Sequence, residues 1–230
     1  MILAIDTATR WLGLALHDGT AVYAETGWRC LNNHTIELVP AVAEMLQRAS
    51  LTPADLTAVA IAIGPGSYTG LRVGLAVAKG MALANHTPLV GVSTLDIVAA
   101  AMGPQPGKLV VVAEAGRTRV VSAVYNWQNR LGWMSKQTST INTWAELLEC
   151  LSEAGQIVFA GEITADAVKN IRAASKTFRV VPPAMSVRRA GFLAEIGWQR
   201  FRKGEVDDGR TIAPVYLKAP DGSLQVTSGK

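Results

Sequence analysis

An α/β chain of two successive lobes, each a mixed sheet covered by helices, is what three observations in the sequence predict. Strand-like apolar runs alternate with stretches of helical period along the 230 residues. The order three strands, helix, strand, helix occurs twice. Between the two occurrences lies Gly103-Pro104-Gln105-Pro106-Gly107, whose prolines and glycines let neither helix nor strand continue. The predicted domains are therefore 1–103 and 104–230, with the final helix and tail able to return to the first lobe.

Residues 2–5 form a short apolar run. Trp11 to Leu16 form a second after a Thr-rich turn, and Ala21 to Thr26 a third after the turn pair Asp18-Gly19. Three strands joined by tight turns thus open the chain. From Asn33 to Ala49, Ile36, Leu38, Val39, Val42, Met45 and Leu46 recur at near-helical spacing. Pro40 lies inside that helix and predicts a kink, because it cannot donate to the Ile36 carbonyl. Thr52-Pro53-Ala54-Asp55 reads as cap, first-turn proline and acidic first turn of a short helical turn. Thr57 to Ile63 is continuously apolar, as in a strand with neighbours on both sides. A loop over 64–69, a helix over 70–84 and a strand at 89–92 follow. Ser93-Thr94-Leu95-Asp96 has capping-box spacing and opens a helix ending near Gly103.

Beyond the boundary the pattern predicts strands at 108–114, 119–126 and 131–139, then a capped helix from Thr143 to Ala154. A strand at 157–160, a helix at 164–175, a strand at 177–181 and a helix at 187–203 complete it. Three strands paired as a meander, continued by strands reached through helical crossovers, give a mixed sheet covered by helices. Two such ribonuclease-H-like lobes in tandem match the architecture shared by actin, the sugar kinases and the Hsp70 ATPase. That likeness concerns fold and assigns no activity.

The 22 Lys and Arg against 18 Asp and Glu leave a net charge of +4, which permits an acidic partner without demanding one. From Lys169 to Lys218 there are eleven basic residues against four acidic ones. This is either a solvated helical face or a surface turned to RNA phosphates. Cys30 and Cys150 lie far apart, match no metal-ligand spacing and read as reduced thiols, which argues against a disulfide scaffold. The N-terminus lacks a basic leader, and no apolar run approaches the roughly 20 residues that span a bilayer. A soluble cytoplasmic protein is expected.

Asp6-Thr7-Ala8-Thr9 ends the first strand, where a carboxylate and hydroxyls could hold a hydrated metal or phosphate oxygens, or simply satisfy local turn amides. Kinases and ATPases of this fold usually carry glycine there so that backbone amides approach phosphate. Thr7 and Ala8 obstruct that approach and weaken a phosphoryl-transfer reading. Gly64-Pro65-Gly66-Ser67-Tyr68-Thr69-Gly70 joins a strand to a helix N-terminus, a place suited to an anion, but its spacing satisfies no known phosphate loop. Asp6, Thr7, Gly64, Gly66 and Ser67 together are the candidate weak nucleotide or anion site; a tight turn capped by Ser67 or Thr69 is the plain alternative.

In the helix that follows, Gly70, Gly74, Ala78 and Ala82 fall at steps of four and line one stripe almost without side chain. Such a stripe admits another helix at short distance, within its own lobe or on a second protein. Leu71, Leu75 and Met81 add apolar area beside it. His17, His34 and His86 form no metal-ligand cluster, and no nucleophile-elbow sequence is present.

Ile2-Leu3-Ala4-Ile5-Asp6-Thr7-Ala8-Thr9, His34-Thr35 before an apolar helix, Gly64 to Gly74, and Gly91-Val92-Ser93-Thr94-Leu95 together resemble the TsaB (YeaZ) family. Pro214-Val215-Tyr216-Leu217-Lys218 resembles that family's closing segment. The family often has Asp-Ala-Arg where this chain has Glu114-Ala115-Gly116-Arg117.

The resemblance implies a place in the machinery that puts threonylcarbamoyl on the adenosine next to the anticodon of tRNAs reading codons that begin with A. Its catalytic relative, TsaD, has the same fold and binds metal through His-x-x-x-His. Here Thr94 and Val98 stand at those positions, and neither supplies a nitrogen to a metal. The family pairs with TsaD through first-lobe helices, here 33–49 and 70–84, which makes His34, Leu38, Leu71, Gly74, Leu75, Ala78 and Met81 the partner-contact candidates. No catalytic residue and no metal are expected, and ATP or ADP only in the assembled complex. A TsaE-like ATPase belongs to the same assembly, tRNA is contacted indirectly or weakly, and the chain alone forms a homodimer. The rival readings are an ATP-dependent small-molecule kinase and a metalloprotease of the same fold class.

Overall fold

The computed structural model describes residues 1–31, 33–115, 118–135 and 138–217. Gly116 and Arg117 of the Glu114 to Arg117 stretch, and Lys218 of the closing segment, lie outside the described residues.

In the first lobe, Met1–Ile97 with Arg189–Val215, the strands are β1 (Ile2–Asp6), β2 (Trp11–His17), β3 (Val22–Arg29), β4 (Ala58–Gly64) and β5 (Leu89–Ser93). They form one sheet in the order β3-β2-β1-β4-β5. β1 to β3 pair antiparallel, and β4 and β5 join in parallel through the crossover helices α1 (His34–Arg48) and α2 (Tyr68–Asn85). β1 and β4 are buried on both faces, and their continuous apolar runs follow from that position. One face packs Leu3, Ile5, Val59 and Ile61 against Leu38, Val42 and Leu75. The other packs Ile2, Ala4, Ala58 and Ala60 against Leu193 and Ala194.

Those last residues belong to α6 (Ala190–Arg202), which joins the first lobe. Glu25 of β3 fixes its start, its carboxylate accepting the Gly191 amide at 2.9 Å and the Arg189 guanidinium. The chain then closes the β5 edge. The Asp207 amide donates to the Leu89 carbonyl at 2.8 Å, the Asp207 carboxylate accepts the Gly91 amide, and the Val215 amide reaches the Ile63 carbonyl.

The second lobe, Val98–Arg188, contains β6 (Lys108–Ala115), β7 (Arg119–Gln128), β8 (Gly132–Ser135), β9 (Thr140–Thr143), β10 (Ile157–Gly161) and β11 (Phe178–Val180). The sheet order is β11-β10-β6-β7-β8, with β9 also pairing β7. Renumbered within the lobe with β9 left out, this is the same order as in the first sheet, so the repeated pattern read from the sequence is a repeated topology. α4 (Trp144–Cys150) and α5 (Ala165–Ala174) cover one face over Phe159 and Phe178. Thr143 and Glu146 cap α4 reciprocally.

α1 continues through Pro40, inside the helix expected there. Two details differ from expectation. Of the strand expected over 131–139, β8 covers Gly132–Ser135, and a further short strand, β9, follows at Thr140–Thr143; both pair with β7, and residues 136 and 137 lie outside the described residues. The lobes divide at Ile97 and Val98, within α3 (Thr94–Ala100), and not at Gly103 to Gly107. Proline and glycine stop a helix but do not decide which core its residues join. Ile97 packs in the first core, whereas the Met102 carbonyl accepts the indole N–H of Trp133 in the second lobe.

Candidate functional site

The β1–β2 turn and the loop before α2 do meet, and they satisfy each other. Asp6, Thr7 and Ala8 are fully buried. The Asp6 carboxylate accepts the Ala8 amide at 2.9 Å, and Thr7 Oγ1 donates to the Gly70 carbonyl at 2.7 Å. The Ser67 amide donates to the Ala8 carbonyl, and the Ser67 hydroxyl caps α2 by accepting the Gly70 amide at 3.3 Å. A Cβ on Gly66 would strike the Ala8 carbonyl oxygen, and one on Gly70 that of Thr7. The room these glycines create is thus filled by the chain's own turn. Gly64 faces elsewhere, towards Leu71 and the Val215 carbonyl, with φ +113°, a conformation that favours glycine. Asp6, Thr7, Gly66 and Ser67 therefore come together without Gly64, and the amides of Ala8, Ser67 and Gly70 are engaged within the turn and the cap.

The small-residue stripe of α2 has the same explanation. Gly70, Gly74 and Ala78 are buried under the helix, and a Cβ on Gly74 would strike Thr7 Oγ1. Leu71 and Leu75 are buried, as is Leu38 on α1. Met81 is partly buried against the same core. Hence Leu38, Leu71, Gly74, Leu75 and Ala78 are core residues and cannot themselves form a contact surface while the lobe is folded.

The surface lies half a turn away on both helices. On α1 it consists of Ile36, Val39, Pro40 and Ala43, spaced at three and four residues; Ile36 is 71% and Val39 54% exposed. On α2 it consists of Ala76, Gly80, Leu83 and Ala84, with Leu83 81% exposed and nothing within 4 Å of a Cβ built on Gly80. Val73, Val77 and Met81 pack against the core cluster of Leu38, Val42 and Met45, so the two exposed stripes belong to neighbouring helices. A single exposed leucine is ordinary on a protein surface. An apolar stripe on each of two packed helices is more than the scattered single residues usual on a surface. The sequence signal for this phase was Arg72, one turn before Ala76, because a charge marks the wet side of a helix.

His34 begins α1 and is buried. Burial holds its imidazole below the ordinary histidine range, against the opposing effects of a hydrogen bond to the Thr9 backbone and of the Glu37 and Asp6 charges. Its Nε2 has no hydrogen-bond partner among the described residues. Glu37 accepts the Trp28 indole N–H, which lowers its carboxyl most, with further hydrogen bonds from Cys30 and Asn33. His34 is thus a buried side chain at the start of α1. Thr94 and Val98 are both buried, and no group of three metal-ligating side chains occurs among the described residues. No described helix is long and apolar enough to cross a membrane.

The family model for TsaD, tRNA N6-adenosine threonylcarbamoyltransferase, matches residues 29–147, a stretch that includes α1 and α2. The TsaB protein of Bacillus subtilis is 35% identical over 150 residues, 64% of this chain and 66% of that protein. TsaB of Buchnera aphidicola (subspecies Schizaphis graminum) is 31% identical over 143 residues, 61% of this chain and 68% of that protein. The chain belongs to the TsaB (YeaZ) family. It spans about two thirds of the length of these relatives. The crystal structure of YeaZ from Pseudomonas aeruginosa superposes with a TM-score of 0.77, covering 94% of this chain and 99% of that one at 23% identity. The fold shared with YeaZ is thus the two-lobed, actin-like one expected, and in this TsaB-family chain the exposed apolar face lies in the first lobe.

Proposed function

We propose that this chain serves the formation of the threonylcarbamoyl group on the adenosine next to the anticodon of tRNA, as the non-catalytic partner of a TsaD-like enzyme. The observation that carries the reading is the pair of apolar stripes on α1 and α2. The matched relatives support it: their names place them in tRNA threonylcarbamoyladenosine biosynthesis. Chemistry inside this chain has less support, because the Asp6 turn and the Gly64 loop spend their polar groups on each other. That counts against the kinase reading, and the lack of a ligating pair at Thr94 and Val98 counts against the metalloprotease reading.

In this account the chain is a required subunit and turns over nothing alone. A TsaE-like ATPase completes the assembly, and ATP or ADP binds only once partner groups supply a site. tRNA touches the chain weakly or indirectly, and in the partner's absence the face meets its own copy. Co-purification of the intact chain from its native cell tests the reading, with nucleoside analysis of tRNA after its depletion. The expected result is a TsaD-like protein in the eluate and loss of threonylcarbamoyladenosine on depletion. Unchanged modification after depletion contradicts it.

A further inference from the structure

His34 opens α1 from a buried seat. It is 7% exposed, and its Nε2 has no hydrogen-bond partner among the described residues, so the bond to the Thr9 backbone is made by Nδ1. With the Nδ1–H donating to the Thr9 carbonyl, the ring is neutral and Nε2 is an acceptor without a donor. The charged groups that act on the ring are Glu37, one turn along α1, and Asp6, at the end of β1. Burial disfavours a proton on the ring more strongly than these two carboxylates favour one. Neither carboxylate accepts from Nε2; Glu37 takes the Trp28 indole N–H, and Asp6 takes the Ala8 amide. Cys30, hydrogen-bonded to Glu37, adds no charge, because burial pushes its thiol up. A proton on Nε2 therefore creates a buried charge and a buried donor with no acceptor at hand.

The same helical turn carries one end of the outer face. Ile36, 71% exposed, stands two residues after His34. Asn33 caps the helix with its backbone carbonyl alone, which accepts the Ile36 and Glu37 amides at 2.9 Å each. Inward, the turn is tied by His34 to Thr9 and by Glu37 to Trp28. We propose that His34 is a proton-operated catch for this face: uncharged, it seats the first turn of α1 on the β1–β2 turn; protonated, it leaves that seat, displaces Ile36, and weakens pairing through the α1–α2 face. This rests on the partner reading above. Outside the seat the imidazolium reaches water and the carboxylate of Glu37, three residues on, so release removes the penalty that burial imposes. The paired state holds His34 neutral, and the apparent affinity falls with the fraction of chains still seated. The catch is closed above the ordinary histidine range and opens as pH falls below it.

The test uses the full chain and its co-purified TsaD-like partner, with pairing read by calorimetry at about pH 7 and about pH 5 for wild type and His34→Gln. The Gln amide is uncharged at both values and keeps a donor for the Thr9 carbonyl. Wild-type pairing is expected to weaken about fivefold more than that of His34→Gln over this interval. The same partner serves both titrations, so its own ionisations cancel in the comparison. Equal weakening of the two proteins, or tighter wild-type pairing at the lower pH, overturns the proposal. If His34→Gln does not fold, as judged by a thermal melt, the titration of the His34 ring followed by NMR in the wild-type chain, free and paired, decides instead. A lower midpoint in the pair supports the catch; an identical or higher one overturns it. A wild-type chain that does not pair at about pH 7 is failure of the partner reading, and the catch falls with it. Wild-type pairing with parallel pH curves for the two proteins is failure of the catch alone.

Discussion

Thr7 Oγ1 occupies the place that a Cβ on Gly74 would take, while its hydroxyl donates to the carbonyl of Gly70 one turn earlier. This contact locks the start of α2 to the end of β1 and fixes which side of the helix faces solvent. Gly74→Ala should therefore destabilise the chain by about 1–3 kcal/mol, since neither the Thr7 hydroxyl nor the helix backbone can move away cheaply. Gly80→Ala, on open surface, should stabilise it by roughly 0.5–1 kcal/mol through helix propensity. Urea melts of the two variants check the pair of signs.

Ala78 is fully buried, so Ala78→Arg should unfold the first lobe rather than detach a partner. Gly80→Arg, two residues on and exposed, should leave the melting curve near that of wild type and abolish pairing with the TsaD-like protein. Circular dichroism melts with size-exclusion chromatography separate the two effects.

Much of this was legible in the sequence. The two meanders, the crossover helices and the repeat follow from apolar period and turn residues, which act locally. The phase of α2 was not. Its Gly70, Gly74, Ala78 stripe is smooth because Thr7 and the strands press against it from inside, and a list of small residues looks the same whether the close neighbour is the chain's own or a partner's. The exposed Arg72 was the one sequence mark of its outer side. β9 at Thr140–Thr143 was missed because its four residues are too short and too polar to show a strand period before the cap of α4. The lobe division was missed for another reason: helix-breaking residues at Gly103 to Gly107 end an element but do not assign its core.

His34 gives a pH dependence with a definite sign. Burial lowers its folded value, so between that value and the unfolded one, about 6.5, the unfolded chain binds more protons. Its contribution is therefore unaffected above the unfolded value, and stability is lost as pH falls below it. Replacing it by Gln should flatten the fall in unfolding free energy between about pH 7 and pH 5 relative to wild type. Denaturant titrations of both proteins across that window measure the difference, and parallel curves count against the assignment.

The most direct measurement is reconstituted threonylcarbamoyladenosine formation on tRNA with the TsaD-like enzyme and its ATPase, comparing wild type with the double variant Ile36→Asp, Leu83→Asp. Both side chains are exposed, so the variant should fold as wild type does. The account predicts that wild type supports the reaction and that the folded variant loses at least about 100-fold of the partner affinity, and with it the product. Full product formation by the folded variant at wild-type concentration would contradict the claim that this face is how the chain acts.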